Sequence, residues 1–192
     1  MSVVEPKLHH LFPSVIYEVQ LNLNTKRIND YCFKLKQSFK SVAKSNHGGW
    51  QSPPIKNSQL PSLVIEIEKH ADIFKKAFLF KNPVVLSHMW VNINSYKDYN
   101  REHSHPLLTF AGVYYVKVPE GSGALGFIHP VSEIIERDWC EIEKEKYNNY
   151  NSNEWLFEPK ENTLFLFPSW LKHCVLPQTN KEERVSISFN LK

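Results

Sequence analysis

The spacing of apolar residues along the chain changes character once, near Val84. Before that point Ile28, Tyr31, Cys32, Leu35, Phe39 and Val42 recur every three or four residues, with Lys and Asn opposite them. This is the period of an amphipathic helix that Asn24 or Thr25 can cap. A second helix is expected to start near Pro61, a residue suited to a first helical turn, with Leu63, Val64, Ile67, Ala71, Phe74 and Phe78 along one side. His70 on that helix is expected at its surface or boundary. Leu11–Leu21 (LFPSVIYEVQL) mixes β-branched and aromatic residues around Pro13, which points to a strand at a sheet edge, where a missing donor costs nothing. The paired glycines and prolines of Asn46–Pro54 (NHGGWQSPP) argue against regular structure there and leave His47 and Trp50 as loop-packing residues.

From Val84 onward the period is 2. Trp90, Asn92 and Asn94 alternate with Met89, Val91 and Ile93, so one strand face is core and the other polar. Thr109–Val118 and Gly123–Ile128 are two further strands around the turn Pro119–Ser122, an arrangement that fits a hairpin. Asn162–Phe167 is a strand ended by Pro168. Arg184–Leu191 alternates throughout, with Arg184, Ser186, Ser188 and Asn190 on one face and Val185, Ile187, Phe189 and Leu191 on the other. Glu136–Trp155 has no consistent period and is expected to be a long excursion, either a lid or binding loop or a flexible tether. Two helices followed by about seven short antiparallel strands with polar inner faces predict a mainly β fold, a double-stranded β-helix or jelly roll of the cupin-like kind. One domain is expected over residues 1–192, with a strand and two supporting helices in 1–82 and the jelly-roll core in 83–192.

Composition narrows the class without naming a function. The chain has 192 residues, 42% of them hydrophobic and 13% aromatic, enough for a substantial core. A formal charge of +3 and the lack of a dense basic block speak against a nucleic-acid partner. Three separated cysteines without a C-x-x-C pair fit reduced thiols and a cytoplasmic setting. No uncharged apolar run approaches the ~20 residues of a membrane span, and the N-terminus has no signal-type apolar segment.

The chemistry concentrates in Asn100–Pro106, a polar stretch expected to be a turn, which holds His103 and His105. Residues i and i+2 of an extended segment point the same way, so both imidazoles can meet one ion, with His173 arriving from a distant strand. Neutral imidazoles suit iron, zinc, copper or nickel. Set against this, nine histidines in one chain make a chance His-x-His unsurprising. Arg184 strengthens the metal reading, because a guanidinium on a polar strand face can hold a carboxylate bidentately. A surface arginine on a half-exposed strand is the competing account.

In combination, Trp90-Val-Asn92, His103-x-His105-Pro106, Gly112-Val-Tyr-Tyr-Val116, Phe127-x-x-Pro130, Leu166-Phe-Pro-Ser-Trp170, His173 and Arg184-x-Ser-x-Ser-Phe-Asn190 resemble the 2-oxoglutarate- and Fe(II)-dependent oxygenases. They look most like a small prolyl hydroxylase-related group of marine bacteria and phages. The resemblance runs from Val84 to Lys192 and in part through Gly48–Ser52. It implies His103, His105 and His173 as ligands of Fe(II), and Arg184 as the partner of the far carboxylate of 2-oxoglutarate. Tyr115 and Ser186 would be further cosubstrate contacts, and Asn92 or Asn94 would line the pocket wall. It also implies O₂ as co-reactant, succinate and CO₂ as products, and hydroxylation of a small molecule or peptide. For a phage-encoded protein the setting would be the host cytoplasm, and a homodimer is left open.

Two departures from the family pattern stand out. His105 occupies a position where most such enzymes carry Asp, and His129 precedes Pro130 where Asp is expected. Glu102, adjoining His103, should point to the opposite side. Two other readings stay open at this level: a three-histidine cupin-type dioxygenase that does not use 2-oxoglutarate, and a non-catalytic jelly-roll module that binds sugar or protein.

Overall fold

A computed structural model describes residues 5–192. In chain order the elements are β1 (Tyr17–Gln20), α1 (Thr25–Ser38), β2 (Asn46–His47), β3 (Trp50–Gln51), a 3-10 turn (Asn57–Gln59), α2 (Pro61–Ala77), β4 (Leu86–Asn94) and β5 (Tyr99–His103). They continue with β6 (Phe110–Lys117), β7 (Leu125–Ile128), α3 (Ser132–Asp138), β8 (Glu154–Phe157), β9 (Thr163–Pro168), β10 (His173–Val175) and β11 (Arg184–Leu191). The strands form a six-stranded sheet in the order β1-β9-β6-β11-β4-β3 and a five-stranded sheet in the order β2-β5-β10-β7-β8. All pairings are antiparallel, so the mainly β, two-sheet reading of the sequence stands. Among the described residues no helix is long and apolar enough to cross a membrane.

Both N-terminal helices lie on the six-stranded sheet. The Asn24 side chain accepts a hydrogen bond from the Arg27 N–H and caps α1, while Pro61 occupies the first turn of α2. Ile28, Cys32 and Leu35 of α1 and Leu63, Ile67 and Phe74 of α2 bury themselves against the apolar face of the sheet, which includes Val185, Ile187, Phe189 and Leu191. The other face of β11 therefore turns inward, toward the five-stranded sheet. A second apolar cluster sits there, built around Val113, Tyr115, Phe127, Phe165 and Phe167. Strand alternation thus sends β11's aliphatic residues to the helices and its polar residues to the space between the sheets.

Gly112 shows how closely this centre is filled. It pairs with Phe189 on one side and Leu166 on the other. A methyl group there would lie 2.4 Å from the Phe189 ring and 2.5 Å from the Phe165 carbonyl oxygen, and the latter cannot rotate away. Gly112→Ala is expected to cost about 1–3 kcal/mol, read as a lower urea midpoint with an unchanged slope.

Several local expectations are corrected. The first strand is only four residues long, Tyr17–Gln20, with Phe12 ahead of it at a left-handed φ of 56°, although β1 does lie at a sheet edge as expected. Helix α1 stops at Ser38. Phe39 is extended and half exposed, and the Val42 N–H donates to the Gln51 carbonyl instead of continuing the helix. His70 is buried and hydrogen-bonded to the Tyr17 hydroxyl at 2.8 Å, not at the surface. Asn46–Pro54 contains two short strands, β2 and β3, one in each sheet, joined through Gly48 and Gly49 at φ +68° and +64°. The turn at Pro119–Ser122 does not close a hairpin, since β6 belongs to the larger sheet and β7 to the smaller. The histidine turn is in part a strand, β5, so eight strands follow α2 instead of seven. A third helix, α3, opens the long excursion, which ends in β8 at the edge of the smaller sheet.

Candidate metal centre and cosubstrate chamber

Strands β5 and β10 lie side by side in the smaller sheet, and the register sets His103 directly opposite His173. His105 follows β5 by two residues, its backbone N–H donating to the Ser169 carbonyl at 2.8 Å. The ring centroids are 4.3 Å apart for His103 and His173, and 5.1 Å apart for each pair that includes His105. One nitrogen from each imidazole lies within 4.8 Å of the others. The Nε2 atoms of His105 and His173 are 3.3 Å apart. Two nitrogens bound to one ion at about 2.1 Å sit roughly 3.0–3.4 Å from each other, so this pair already has ligand spacing.

Hydrogen bonds fix which nitrogen is free. Nδ1–H of His103 donates to the Arg101 carbonyl at 2.7 Å, and Nδ1–H of His173 donates to the Leu171 carbonyl at 2.9 Å. Each bond leaves Nε2 as the lone-pair nitrogen, the usual way a protein presents imidazole to a metal. Burial opposes protonation of all three rings. The His173 pKa is pushed down to about 3 by burial and then by the neighbouring His103, and that of His105 down to about 4 by burial, His103 and His88. His103 is lowered by burial as well. A neutral, lone-pair-bearing donor set suits a divalent ion of the iron, zinc or nickel kind.

No carboxylate joins this group among the described residues. Glu102 turns to Lys172, 2.9 Å away, as the alternation of an extended segment requires. Asp98 accepts from the Ser95 N–H at 2.7 Å. His129 stands apart from the centre: it accepts from the Val131 N–H at 3.2 Å, in the turn before α3.

Behind the histidines a narrow chamber of about 40 Å³ runs inward between the sheets. Its walls carry His103, His105, His173, Tyr115, Asn92, Ser186 and, at the inner end, Arg184. Arg184 is 1% exposed, so the surface-arginine account is excluded. Its two terminal nitrogens donate to the Gly123 carbonyl and to Asn94 Oδ1, each at 3.0 Å, and its Nε has no partner. It forms no salt bridge with any described residue. Burial lowers its pKa, with Tyr115 and Asp98 acting in the opposite direction. A guanidinium this deep without a carboxylate carries a large desolvation cost that an anionic ligand would offset. Tyr115, fully buried with its pKa raised by burial, pairs through the backbone with Ser186, which pairs in turn with Asn92. All three surround the same space.

The sequence-derived site residues therefore converge, with one change of role. Asn94 does not line the chamber; it holds Arg184 from the side. Ser188 was not singled out, yet it accepts a hydrogen bond from Asn92 Nδ2 at 2.9 Å and lines the chamber. Its position on the polar face of β11 was the signal. Outside the histidines a wider groove of about 630 Å³ is lined by Lys44, Gln51, Pro54, Trp90 and Arg101, among others. The Asn46–Pro54 segment frames this mouth through Gln51, Ser52 and Pro54. The Glu136–Trp155 excursion does not: its residues line a separate cavity with Phe127, Ile128 and His129.

A family model described as "Putative 2OG-Fe(II) oxygenase" matches residues 88–190, the stretch that supplies the three histidines, Arg184, Tyr115, Ser186 and Asn92. The chain belongs to this 2OG-Fe(II) oxygenase family. As an oxygenase of that family it is an oxidoreductase, and the family uses Fe(II), 2-oxoglutarate and O₂. The solved structures it resembles share its fold at low identity. A prolyl-4-hydroxylase from Pseudomonas putida superposes with a TM-score of 0.66 at 14% identity over 93% of this chain and 92% of that one. The viral collagen prolyl hydroxylase of Paramecium Bursaria Chlorella virus-1, in its 2OG complex, gives 0.60 at 12% over 92% and 94%. HygX from Streptomyces hygroscopicus, with nickel and 2-oxoglutarate bound, gives 0.62 at 9% over 93% and 82%. No curated protein matches the sequence. The jelly-roll architecture is thus that of the 2OG oxygenases.

Proposed function

We propose that this oxygenase holds Fe(II) on His103, His105 and His173 and 2-oxoglutarate in the chamber behind them, and that it hydroxylates a substrate presented from the outer groove. The observation that carries this reading is Arg184, a buried guanidinium without a carboxylate partner, at the inner end of a chamber whose outer end is three imidazoles. A cupin-type dioxygenase without 2-oxoglutarate gives that arginine nothing to bind, and neither does a non-catalytic module.

When bound, Fe(II) with O₂ would supply the oxidising chemistry, converting 2-oxoglutarate to succinate and CO₂ while one oxygen atom enters a substrate C–H bond. The chain's own residues position and desolvate. Arg184 receives the far carboxylate, with charge-assisted hydrogen bonds that are strong in a buried setting. The Tyr115 and Ser186 hydroxyls lie on the same wall and add donors to that carboxylate. Asn92, held by Ser188, fixes the side of the chamber. Phe167, 4.6 Å from the His173 ring, and Phe127, 6.2 Å from it, keep water from the back of the centre. Three neutral imidazoles leave a divalent ion with its full +2 charge, so the dianionic cosubstrate does the neutralising that a ligand carboxylate does elsewhere.

Adding 2-oxoglutarate to the Fe(II)-loaded protein without oxygen should produce a weak visible absorption band, and admitting air should convert 2-oxoglutarate to succinate. If neither is seen, the oxygenase reading of this chain fails. Oxygen uptake independent of 2-oxoglutarate would favour the cupin-type reading instead.

A further inference from the structure

The outer groove is charged in a way that the oxygenase reading does not require. Lys44 and Arg101 both line it, and neither forms a salt bridge with any described residue. The Arg101 side chain lies 3.4 Å from His47 Nδ1, and the His47 ring is tilted against Tyr99 with centroids 4.7 Å apart. The one carboxylate in the lining, Glu102, is already paired with Lys172. The groove therefore offers two uncompensated cations and no free anion. Arg101 lies two residues before His103 on β5, and both line the groove. Its carbonyl takes the His103 Nδ1–H.

One part of the lining is apolar, beside the polar Ser45, Gln51, Ser52 and Asn190. Trp90 is stacked on His88 with centroids 5.6 Å apart and lies 6.0 Å from His105, with Val42 and Pro54 facing the same space. Main-chain edges near the groove are already used. On the outer side of β3 the Gln51 N–H donates to Ser41 Oγ and the Gln51 carbonyl accepts from the Val42 N–H. The outer edge of β3 at Gln51 is therefore not free for an extended peptide to add to. A groove of about 630 Å³ is of small-molecule size.

Building on that oxygenase reading, we propose that the substrate is a small anionic molecule, a carboxylate or phosphate ester with an apolar, planar body. Arg101 with Lys44 holds the anionic end, and Trp90 supports the body beside the metal centre. Arg101 is thus a specificity-determining residue that selects charge.

The test uses three probes on the full-length protein, with saturating 2-oxoglutarate present to occupy the inner chamber: 3-phenylpropionate, phenyl phosphate and the neutral 3-phenylpropionamide. Binding is followed by ligand-observed NMR and does not depend on turnover. At least one anion is expected to bind about tenfold more tightly than the amide, and which anion wins separates the carboxylate from the phosphate source. Arg101→Gln should erase that preference, and Arg101→Lys should keep most of it. Arg101 is exposed, so an unchanged melting temperature would show that the variants fold.

Equal binding of amide and anions overturns the proposal, and so does a preference that survives Arg101→Gln. A preference lost only in Arg184→Gln would show that the probes report the inner chamber, which also overturns it. Tighter binding of the capped acidic peptide acetyl-Ala-Asp-Ala-amide would replace the small molecule with a peptide. Succinate formation is scored separately, so failure of the charge selection and failure of the oxygenase reading remain distinguishable.

Discussion

Replacing Arg184 with Met should raise the KM for 2-oxoglutarate at least about 100-fold while leaving the melting temperature of the ligand-free protein near that of wild type. The two parts follow from the same burial. Removing the guanidinium forfeits charge-assisted hydrogen bonds worth roughly 1.5–3 kcal/mol each to the incoming carboxylate. In the ligand-free chain the same group is a desolvated cation with no opposite charge, which an apolar side chain of similar volume can replace at little net cost. The loss of its bonds to Gly123 and Asn94 works in the other direction and keeps the change near zero. Wild type should gain thermal stability when 2-oxoglutarate and Fe(II) are added together, and the Met variant should not. A 2-oxoglutarate-dependent shift that persists in the variant would remove Arg184 from cosubstrate binding.

The second large effect concerns the three histidines. His173→Ala should reduce succinate formation more than 100-fold, beyond the ~10–100-fold that losing a supporting partner costs a metal site. His173 is the most buried of the three and lies directly across from His103, so no neighbouring side chain can substitute for it. His105→Asp should act oppositely on the metal, tightening Fe(II) binding by about tenfold, because a carboxylate cancels one of the ion's two charges. A titration showing unchanged Fe(II) affinity in His105→Asp would mean that His105 is not a ligand. Retention of full activity by His173→Ala would remove the three-histidine centre altogether.

How far the sequence foretold this arrangement depends on the strand. β11 was legible from end to end, because its two faces meet chemically different surroundings: helices on one side and a polar chamber on the other. That contrast writes a strict alternation into Arg184–Leu191. β5 was not legible as a strand, since Tyr99–His103 holds a row of polar residues and is held by backbone pairing to β2 and β10. β2 and β3 are two residues each, too short for any period to register. The turn after β6 showed its bend but not its destination, because turn residues specify local backbone geometry and say nothing of which sheet receives the next strand. His70 occupies a position on the apolar stripe of α2, four residues before Phe74, and its identity as histidine masked that. α3 buries only Ile135, which gives no repeat to detect. At the site, the converging residue types were legible, while the support of Arg184 by Asn94 and the charge of the outer groove needed the third dimension.

The pairing of His103 with His173 has a consequence for the polymer as well as for chemistry. β10 is only three residues long and its register with β5 slips between His173 and Val175, so the seam that carries the site is short and irregular. An ion held there would link His105 to His173, 68 residues apart, and would close that loop much as a disulfide does. Iron loading would then act as a reversible clip on the folded smaller sheet, stabilising it by mass action and slowing the opening of β5 from β10. The larger sheet, already clamped by two helices, would hardly register the difference.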